Sequence, residues 1–405
     1  MIQRPHYIEQ LKVYMDKPFV KILAGIRRAG KSTVFEEFAE YLKESGIKSS
    51  HIISMRFDSY EHGTIENGDG MYNNLRSKMK ESGKYYLLLD EVQEVENWEK
   101  AVNALMQDCN TDVYVTGSNS KLMSSELSTY LTGRYISIPV YTLSFKEYIE
   151  FRKDSGDTRG EKELLQSYIR LGGFPAVSVG NFTQNEVYTI VRDIYNSVVY
   201  NDIVKRNNIR KTDLFERIVR YVFENVGKTF SAQSIAKYMK SEGRTTDVET
   251  VYNYIDMLKK AFIVYRANRY DIQGKEVLKT QEKYFVADPA LKYSVLGFNA
   301  TSVSAMLENI VYFEMLRRGF EVYVGHAGGK EIDFVGIDKD KKMYVQVCRQ
   351  IPESESGKDR EIGNLQRIKD NHPKYVVTLD DFAEGNADGI KLVHLSDFLL
   401  GEWDV

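Results

Sequence analysis

Apolar positions in the first third of this chain fall into short unbroken runs separated by stretches of helical spacing. Residues 19–24 form such a run and predict a buried strand, which a loop holding Gly25 and Gly30 follows. Val34, Phe35, Phe38, Ala39 and Leu42 then return at the spacing of one helix face, and Gly46 suits the position just past a helix end. Residues 85–89 and 112–115 predict two more buried strands. Buried strands alternating with amphipathic helices predict an α/β fold built on a parallel sheet.

The pattern changes after Pro139. To about Asn208 it is helical and polar, with EFRKDSGDTRGEKELLQ as a solvated segment and Gly172-Gly173-Phe174-Pro175 as a structural turn. Residues 231–240 and 247–260 then predict two helices joined by a turn at Ser241-Glu242-Gly243. Residues 262–270 and 277–287 predict a hairpin after them. The last segment predicts a helix bearing Glu308, a strand pair carrying Glu331-Ile332-Asp333, and a strand with Gln346-Val347-Cys348.

Composition narrows the function classes. A chain of 405 residues with 42% hydrophobic content can build two or three cores. Its formal net charge of -3 gives no global attraction to nucleic acid or anionic membrane, so any polyanion site must be local. Two cysteines, Cys109 and Cys348, suggest neither a disulfide framework nor a thiol metal site and fit a reducing cytoplasm. No apolar run approaches the roughly 18 residues of a membrane span, and the start MIQRPHYIEQ lacks a signal-peptide pattern. The expectation is a soluble cytoplasmic protein.

Gly25-Ile26-Arg27-Arg28-Ala29-Gly30-Lys31-Ser32, with Thr33 in the first helical turn, has the spacing at which backbone N–H groups surround phosphate oxygens. Gly25 and Gly30 supply backbone freedom, Lys31 reaches the outer phosphates, and Ser32 offers a hydroxyl to Mg²⁺. The helix beginning near Gly30 points its positive end at the anion. Asp90 and Glu91 follow the run 85–89 at the carboxyl end of its strand. Asp90 is the expected Mg²⁺ partner, and Glu91 the group that orients or deprotonates an attacking water. Thr116, Ser118 and Asn119 close the third strand with polar groups suited to a γ-phosphate or water. The alternative for these three is an ordinary capped turn. Arg134, after the helix that follows, is a candidate charge-neutralising arginine.

Strand, phosphate loop, acid pair and polar strand end, in this order, resemble the AAA-type P-loop ATPases. The closest resemblance is to a prokaryotic family whose core precedes a winged helix and a C-terminal domain similar to restriction endonucleases. Arg27-Arg28, Thr116-Gly117-Ser118, Gly133-Arg134 and Leu171-Gly172-Gly173-Phe174-Pro175 narrow the match. The resemblance implies ATP as nucleotide, Mg²⁺ as metal, and Arg4 and Tyr7 near the adenine. It also implies an ATPase core with helical lid over 1–208, a winged helix over 209–296 and a PD-(D/E)XK-like domain over 297–405. In that last layout Asp333 matches an acidic ligand and Gln346 a weak one, while Cys348 stands where a lysine is expected and Arg349 faces the other way. A neutral thiol is a poor substitute for an ammonium, so a retained scaffold without nuclease activity is expected. The second predicted helix is acidic at its start (Asp247, Glu249), which sets protein contact against DNA contact, although Lys237, Lys240 and Arg244 precede it.

The expected function is ATP hydrolysis coupled to movement of the C-terminal modules. Two alternatives stay open, a DNA-processing ATPase and a slow nucleotide-dependent switch acting on a protein partner. A homo-oligomer is compatible with either.

Overall fold

A computed structural model describes residues 3–61, 64–119, 122, 131, 133–352, 354, 357, 359–381 and 385–403. The chain gathers into two compact units, residues 1–142 with 260–262, and residues 143–259 with 263–405. Among the described residues no helix is long and apolar enough to cross a membrane.

The first unit is an α/β layer built on five strands: β1 (Val20–Ala24), β2 (Ile52–Arg56), β3 (Tyr85–Asp90), β4 (Thr111–Gly117) and β5 (Tyr135–Pro139). They lie in the order β2-β3-β4-β1-β5, every pair parallel. All residues of β1 and β3 are buried, as apolar runs in a sheet covered on both faces require. Helices α1 (Pro5–Tyr14), α2 (Lys31–Glu44), α3 (Gly68–Lys78) and α4 (Trp98–Asp108) belong to this unit. Helix α2 buries Val34, Phe35, Phe38 and Leu42, and beyond its end Gly46 takes φ +88°. There the Gly46 and Ile47 N–H groups donate to Lys43 and Leu42 carbonyls at 3.0 Å each, closing the last turn.

One charged pair interrupts the apolar core. Lys21 of β1, fully buried, donates to Asp112 of β4 and to the Lys17 carbonyl at 3.0 Å. Asp112 Oδ2 also accepts from the Tyr114 hydroxyl and the Asp16 N–H, each at 2.8 Å. The lysine therefore reaches across the central strand pair to an acid whose remaining capacity is already filled.

The second unit contains a mixed nine-stranded sheet. Its strands are β6 (Thr229–Phe230), β7 (Val264–Asp271), β8 (Glu276–Val286), β9 (Glu321–Ala327), β10 (Lys330–Asp338), β11 (Lys341–Cys348), β12 (Lys374–Thr378), β13 (Gly385–Ala387) and β14 (Ile390–His394), in the order β13-β14-β12-β11-β10-β9-β7-β8-β6. Around it lie α5 (Phe145–Asp154), α6 (Glu161–Leu171), α7 (Gln184–Ser197), α8 (Thr212–Glu224), α9 (Ala232–Ser241), α10 (Val248–Lys260), α11 (Pro289–Leu296), α12 (Val303–Arg317) and α13 (Leu395–Leu400). A π-helical stretch, Val198–Lys205, continues α7.

The helices and hairpin expected over 231–287 are present as α9, α10, β7 and β8. The expected divisions at 208 and 296, however, both fall inside this unit. The hairpin is not a separate wing: β7 pairs in parallel with β9 through Arg269, Tyr270 and Asp271, so its open edge is covered by the following strands. The division at 208 fails for a related reason. Helix α11 is buried along Pro289–Ser294 and packs against α6, α7 and α8, drawing segments from both sides of that boundary into one core.

The Gly-Gly-Phe-Pro turn is fixed to the start of α11. Asp288 caps that helix, accepting from Ala290 N–H at 2.9 Å, and its other oxygen accepts from Gly173 N–H at 2.7 Å. Gly172 has φ +70°, and a Cβ there would lie 1.7 Å from Asp288 Oδ1, so a side chain is excluded twice over.

The buried pair in the first unit yields a stability prediction. Lys21→Met leaves Asp112 charged and buried, and is expected to destabilise the protein by about 3–5 kcal/mol in denaturant unfolding. Lys21→Met combined with Asp112→Asn removes both charges while keeping an acceptor for Tyr114, and is expected to recover most of that loss. A single variant as stable as the parent would remove the pair from the account of this core.

Candidate functional site

The parallel sheet brings the carboxyl ends of β1, β3 and β4 to one edge, and the charged residues collect there. Beyond Ala24 the loop turns into α2 through two left-handed residues, Arg28 at φ +68° and Gly30 at φ +97°. Gly30 thus has the conformational role expected of it. Gly25 does not: its requirement is close approach, since a Cβ there would lie 2.0 Å from the Val140 carbonyl oxygen. Ile26 and Ala29 are buried, Arg27 is half-buried, and Arg28 is exposed.

Lys31 is buried and folded back on its own loop. Its ammonium donates to the carbonyls of Gly25 and Ile26 at 3.0 and 3.2 Å and lies 3.7 Å from Glu91 Oε1. Ser32 hydrogen-bonds Asp90, which also accepts from the Thr116 hydroxyl. Thr116 Oγ1 in turn accepts from the Glu91 N–H at 3.0 Å. One hydroxyl on β4 therefore ties both acids of β3 in place. Burial raises the Asp90 carboxyl above its usual range, with the hydroxyls of Thr116 and Ser32 opposing. For Glu91, burial acts upward, but Lys31, a hydrogen bond from Gln93 and Arg27 outweigh it and hold the carboxyl below its usual value.

Glu91 itself sits at φ +54°, a costly backbone for a residue with a side chain. Its side chain is gripped by Gln93, whose amide donates to Glu91 Oε2 and lies 3.5 Å from Ser118 Oγ. The sequence reading missed Gln93. The only available signal was an amide two residues past an acid at a strand end, which is too common to single out. Ser118 and Asn119 are buried beside this edge, whereas the helix expected after them, and Thr132, lie outside the described residues.

Arg4 and Tyr7 are also brought to the loop, but by binding it. The Arg4 guanidinium, buried, donates to Ala29 O at 2.8 Å and to Tyr141 O at 3.1 Å, and stacks 4.5 Å from the Tyr7 ring centre. The Tyr7 hydroxyl accepts from Tyr141 N–H at 3.1 Å. Both side chains brace the loop from α1.

Arg134 is elsewhere. It precedes β5, and its carbonyl accepts from Val20 N–H at 2.8 Å, at the amino end of β1. Four strand steps of roughly 3.3 Å separate Val20 from Ala24, so Arg134 lies about 13 Å along the sheet from the start of its own phosphate loop. Its backbone therefore lies at the end of the sheet opposite that loop, and its side chain is exposed.

A cavity of about 1050 Å³ borders Ser32 and Asp90, with Gln3, Ile8, Phe35 and Met55 among its walls. Hard oxygen donors from Ser32 and Asp90 at one end of this space suit a divalent cation such as Mg²⁺.

In the second unit, Glu308 of α12, Glu331 and Asp333 of β10 and Gln346 of β11 converge as the sequence suggested, and Cys348 is buried in an apolar cluster with Ile332, Val335 and Tyr344. The sequence reading found no lysine for these acids. The structure supplies one from another strand: Lys283 of β8 places its ammonium 2.8 Å from Glu331, 3.1 Å from Glu308 and 3.5 Å from Asp333. The position expected to carry a lysine holds Cys348, and the ammonium beside these acids comes from β8 instead. Sequence separation hid the partner, since Lys283 and Asp333 are 50 positions apart.

Residues 17–149 match the family described as AAA domain, and residues 162–302 match one described as Domain of unknown function (DUF8612). An uncharacterized protein of Haemophilus influenzae is 38% identical over 401 residues, covering 99% of this chain and 99% of its own length. An uncharacterized protein of Methanocaldococcus jannaschii is 27% identical over 378 residues, covering 89% of this chain and 81% of its own. Among solved structures, a Walker-type ATPase of Pyrococcus abyssi shares the fold at a TM-score of 0.52 and 16% identity, over 73% of this chain and 96% of that one. The chain belongs to the family of the Haemophilus influenzae protein, and within it residues 17–149 form an AAA-type domain.

Proposed function

We propose that the protein binds ATP with Mg²⁺ at the loop Gly25–Thr33 and hydrolyses it, using turnover to move the segments that follow the AAA-type domain. The observation that carries this reading is the meeting of Lys31, Ser32, Asp90 and Glu91 at one sheet edge, with Thr116 linking the two acids. Lys31 is the cation for the outer phosphates and must leave its carbonyl partners and Glu91 to reach them. Ser32 and Asp90 would hold Mg²⁺, which supplies charge neutralisation at the phosphates. Glu91 is the general base or water-orienting group, and Gln93 sets the direction of its carboxylate. Ser118 and Asn119 are placed to sense which nucleotide is bound. Arg4 and Tyr7 act by fixing the loop.

For the segment over α9, α10 and the hairpin, contact with a protein is favoured over contact with DNA. Val248 and Tyr252 are exposed on α10, Asp247 and Glu249 charge its start negatively, and Arg244 is engaged with Asp213. A polyanion meets repulsion there, while an apolar partner surface does not.

Lys31→Ala is expected to weaken ATP binding more than tenfold, or about 1.4 kcal/mol, in a calorimetric titration. An affinity within threefold of the parent would exclude the phosphate-loop assignment. Glu91→Gln is expected to bind ATP normally and to lose about 10²-fold or more in turnover. Gln93→Ala should give a smaller fall in turnover with affinity unchanged, and Asp90→Asn should weaken the Mg²⁺-dependent part of binding. Parent-like hydrolysis by Glu91→Gln would exclude this role for Glu91, and slow parent turnover in steady-state and single-turnover assays would favour the slow-switch alternative.

Arg134, at the end of the sheet opposite its own loop, is proposed to serve a neighbouring subunit's γ-phosphate. Arg134→Ala should then bind ATP yet hydrolyse it slowly, by roughly 10³-fold or more if it acts as an arginine finger. Mixing it with Lys31→Ala protein should restore part of the activity. Full activity of Arg134→Ala alone would return this side chain to the surface.

A further inference from the structure

The cluster around Lys283 is a concentration of buried charge in the second unit. The lysine side chain is 3% exposed, while those of Asp333, Glu308 and Glu331 are 10%, 17% and 43% exposed, so the site runs from the core to a rim at Glu331. Strands β8, β10 and β11, helix α12 and the helical turn holding Glu361 all contribute to it. Asp333 is presented where the β9–β10 register shifts between Ile332 and Val335. Its Oδ2 accepts from the Val347 N–H at 2.9 Å, leaving Oδ1 for the lysine. Gln346 accepts from Asp333 N–H at 3.3 Å and donates to Glu361 at 3.1 Å, so its amide is spent within the chain. Gly227 closes the side over Glu308, where an added Cβ would lie 3.3 Å from Oε2.

Three carboxylates converging on one point are expected to hold a hard cation, because isolated they repel one another at short range in a partly dry site. Here the point of convergence already carries an ammonium at hydrogen-bond distance from two of them. Its charge matters more than its hydrogen bonds: burial acts to lower the Lys283 pKa, yet Glu308, Asp333 and Glu331 together hold it above the usual lysine value. Burial and the neighbouring Asp333 push the Glu308 carboxyl above its usual range, and the Lys283 ammonium opposes them.

We propose that Lys283 is the resident cation of a carboxylate site formed by Glu308, Glu331 and Asp333, and that its ammonium takes the place of a divalent metal ion there. The lysine also ties the hairpin strand β8 to α12 and β10. The acids hold the hairpin through this lysine, and an added divalent ion meets both an occupied position and a like charge.

The test uses the full-length protein without nucleotide and Mn²⁺ as the probe, with free Mn²⁺ read by electron paramagnetic resonance. Comparing variants with the parent cancels any ion held at Ser32 and Asp90. Lys283→Met is expected to bind one additional Mn²⁺ per chain, at least tenfold more tightly than any the parent binds, and Asp333→Asn in that background should abolish the gain. The idea is overturned if the parent already binds this ion in an Asp333-dependent manner, or if folded Lys283→Met gains none. Should Lys283→Met not fold, the pairing is read from Lys283→Met with Glu308→Gln, which lowers the unbalanced charge. That double variant is expected to regain a cooperative melting transition, and showing none would overturn the proposal too.

Discussion

Parallel strand direction is the constraint on which the AAA-type domain depends. Because β1, β3 and β4 run the same way, the phosphate loop, the Asp90-Glu91 pair and Thr116 must emerge on one edge, whatever the connections between them. The same rule places Arg134 on the other edge, since it precedes the strand beside β1. Residues distant in sequence are thus assembled by one geometric fact. The Lys21–Asp112 pair lies across the β1–β4 junction and so adds a polar contact between the two strands that deliver the loop and Thr116. Such a pair adds little net stability over apolar packing, but it penalises misalignment heavily, because a shifted strand would leave a buried charge alone.

How much was legible follows from which signals are local. The phosphate loop, the strand before it, the helix after it and the acid pair at residues 90 and 91 are written in contiguous spacing, and each lies where the spacing placed it. What escaped depends on contacts between distant segments. Gly25 looks like a flexible turn residue, yet its need arises from Val140, 115 residues away. Arg4 looks like a ligand residue, and its Nη1 also binds the Ala29 and Tyr141 carbonyls. The hairpin at 264–286 has the periodicity of a free-standing wing. Its pairing with β9 is invisible until both strands are in place. Lys283 is the extreme case, a charged residue in a strand whose partners come from α12 and β10.

Buried ions recur in both units, and in each place the chain satisfies them from within: Lys21 by Asp112, Lys31 by loop carbonyls and Glu91, Lys283 by three acids. These sites differ in what a ligand must displace. For Lys283 an incoming cation meets an ammonium on three sides bound by carboxylates, and nothing compensates its departure. Around Lys31 the balance is different. On the proposed reading, phosphate oxygens offer the ammonium stronger partners than two carbonyls and a carboxylate at 3.7 Å, so binding exchanges one set of contacts for another.

That exchange has a consequence for Glu91. When Lys31 turns to a phosphate, Glu91 loses the nearest positive charge that holds its carboxyl low, while its burial is unchanged. On the proposed reading that loss favours a higher affinity for a proton, with Mg²⁺ at Ser32 and Asp90 opposing, and a carboxylate that becomes more basic is better suited to take a proton from water. Gln93 limits how far the side chain moves during this change, because its amide keeps hold of Oε2 while Oε1 is released. Thr116 fixes the backbone beneath at the left-handed Glu91. Strain at that residue therefore has a definite use. It turns the side chain off the strand toward the loop, so that one acid of the pair faces Ser32 and the other faces Lys31.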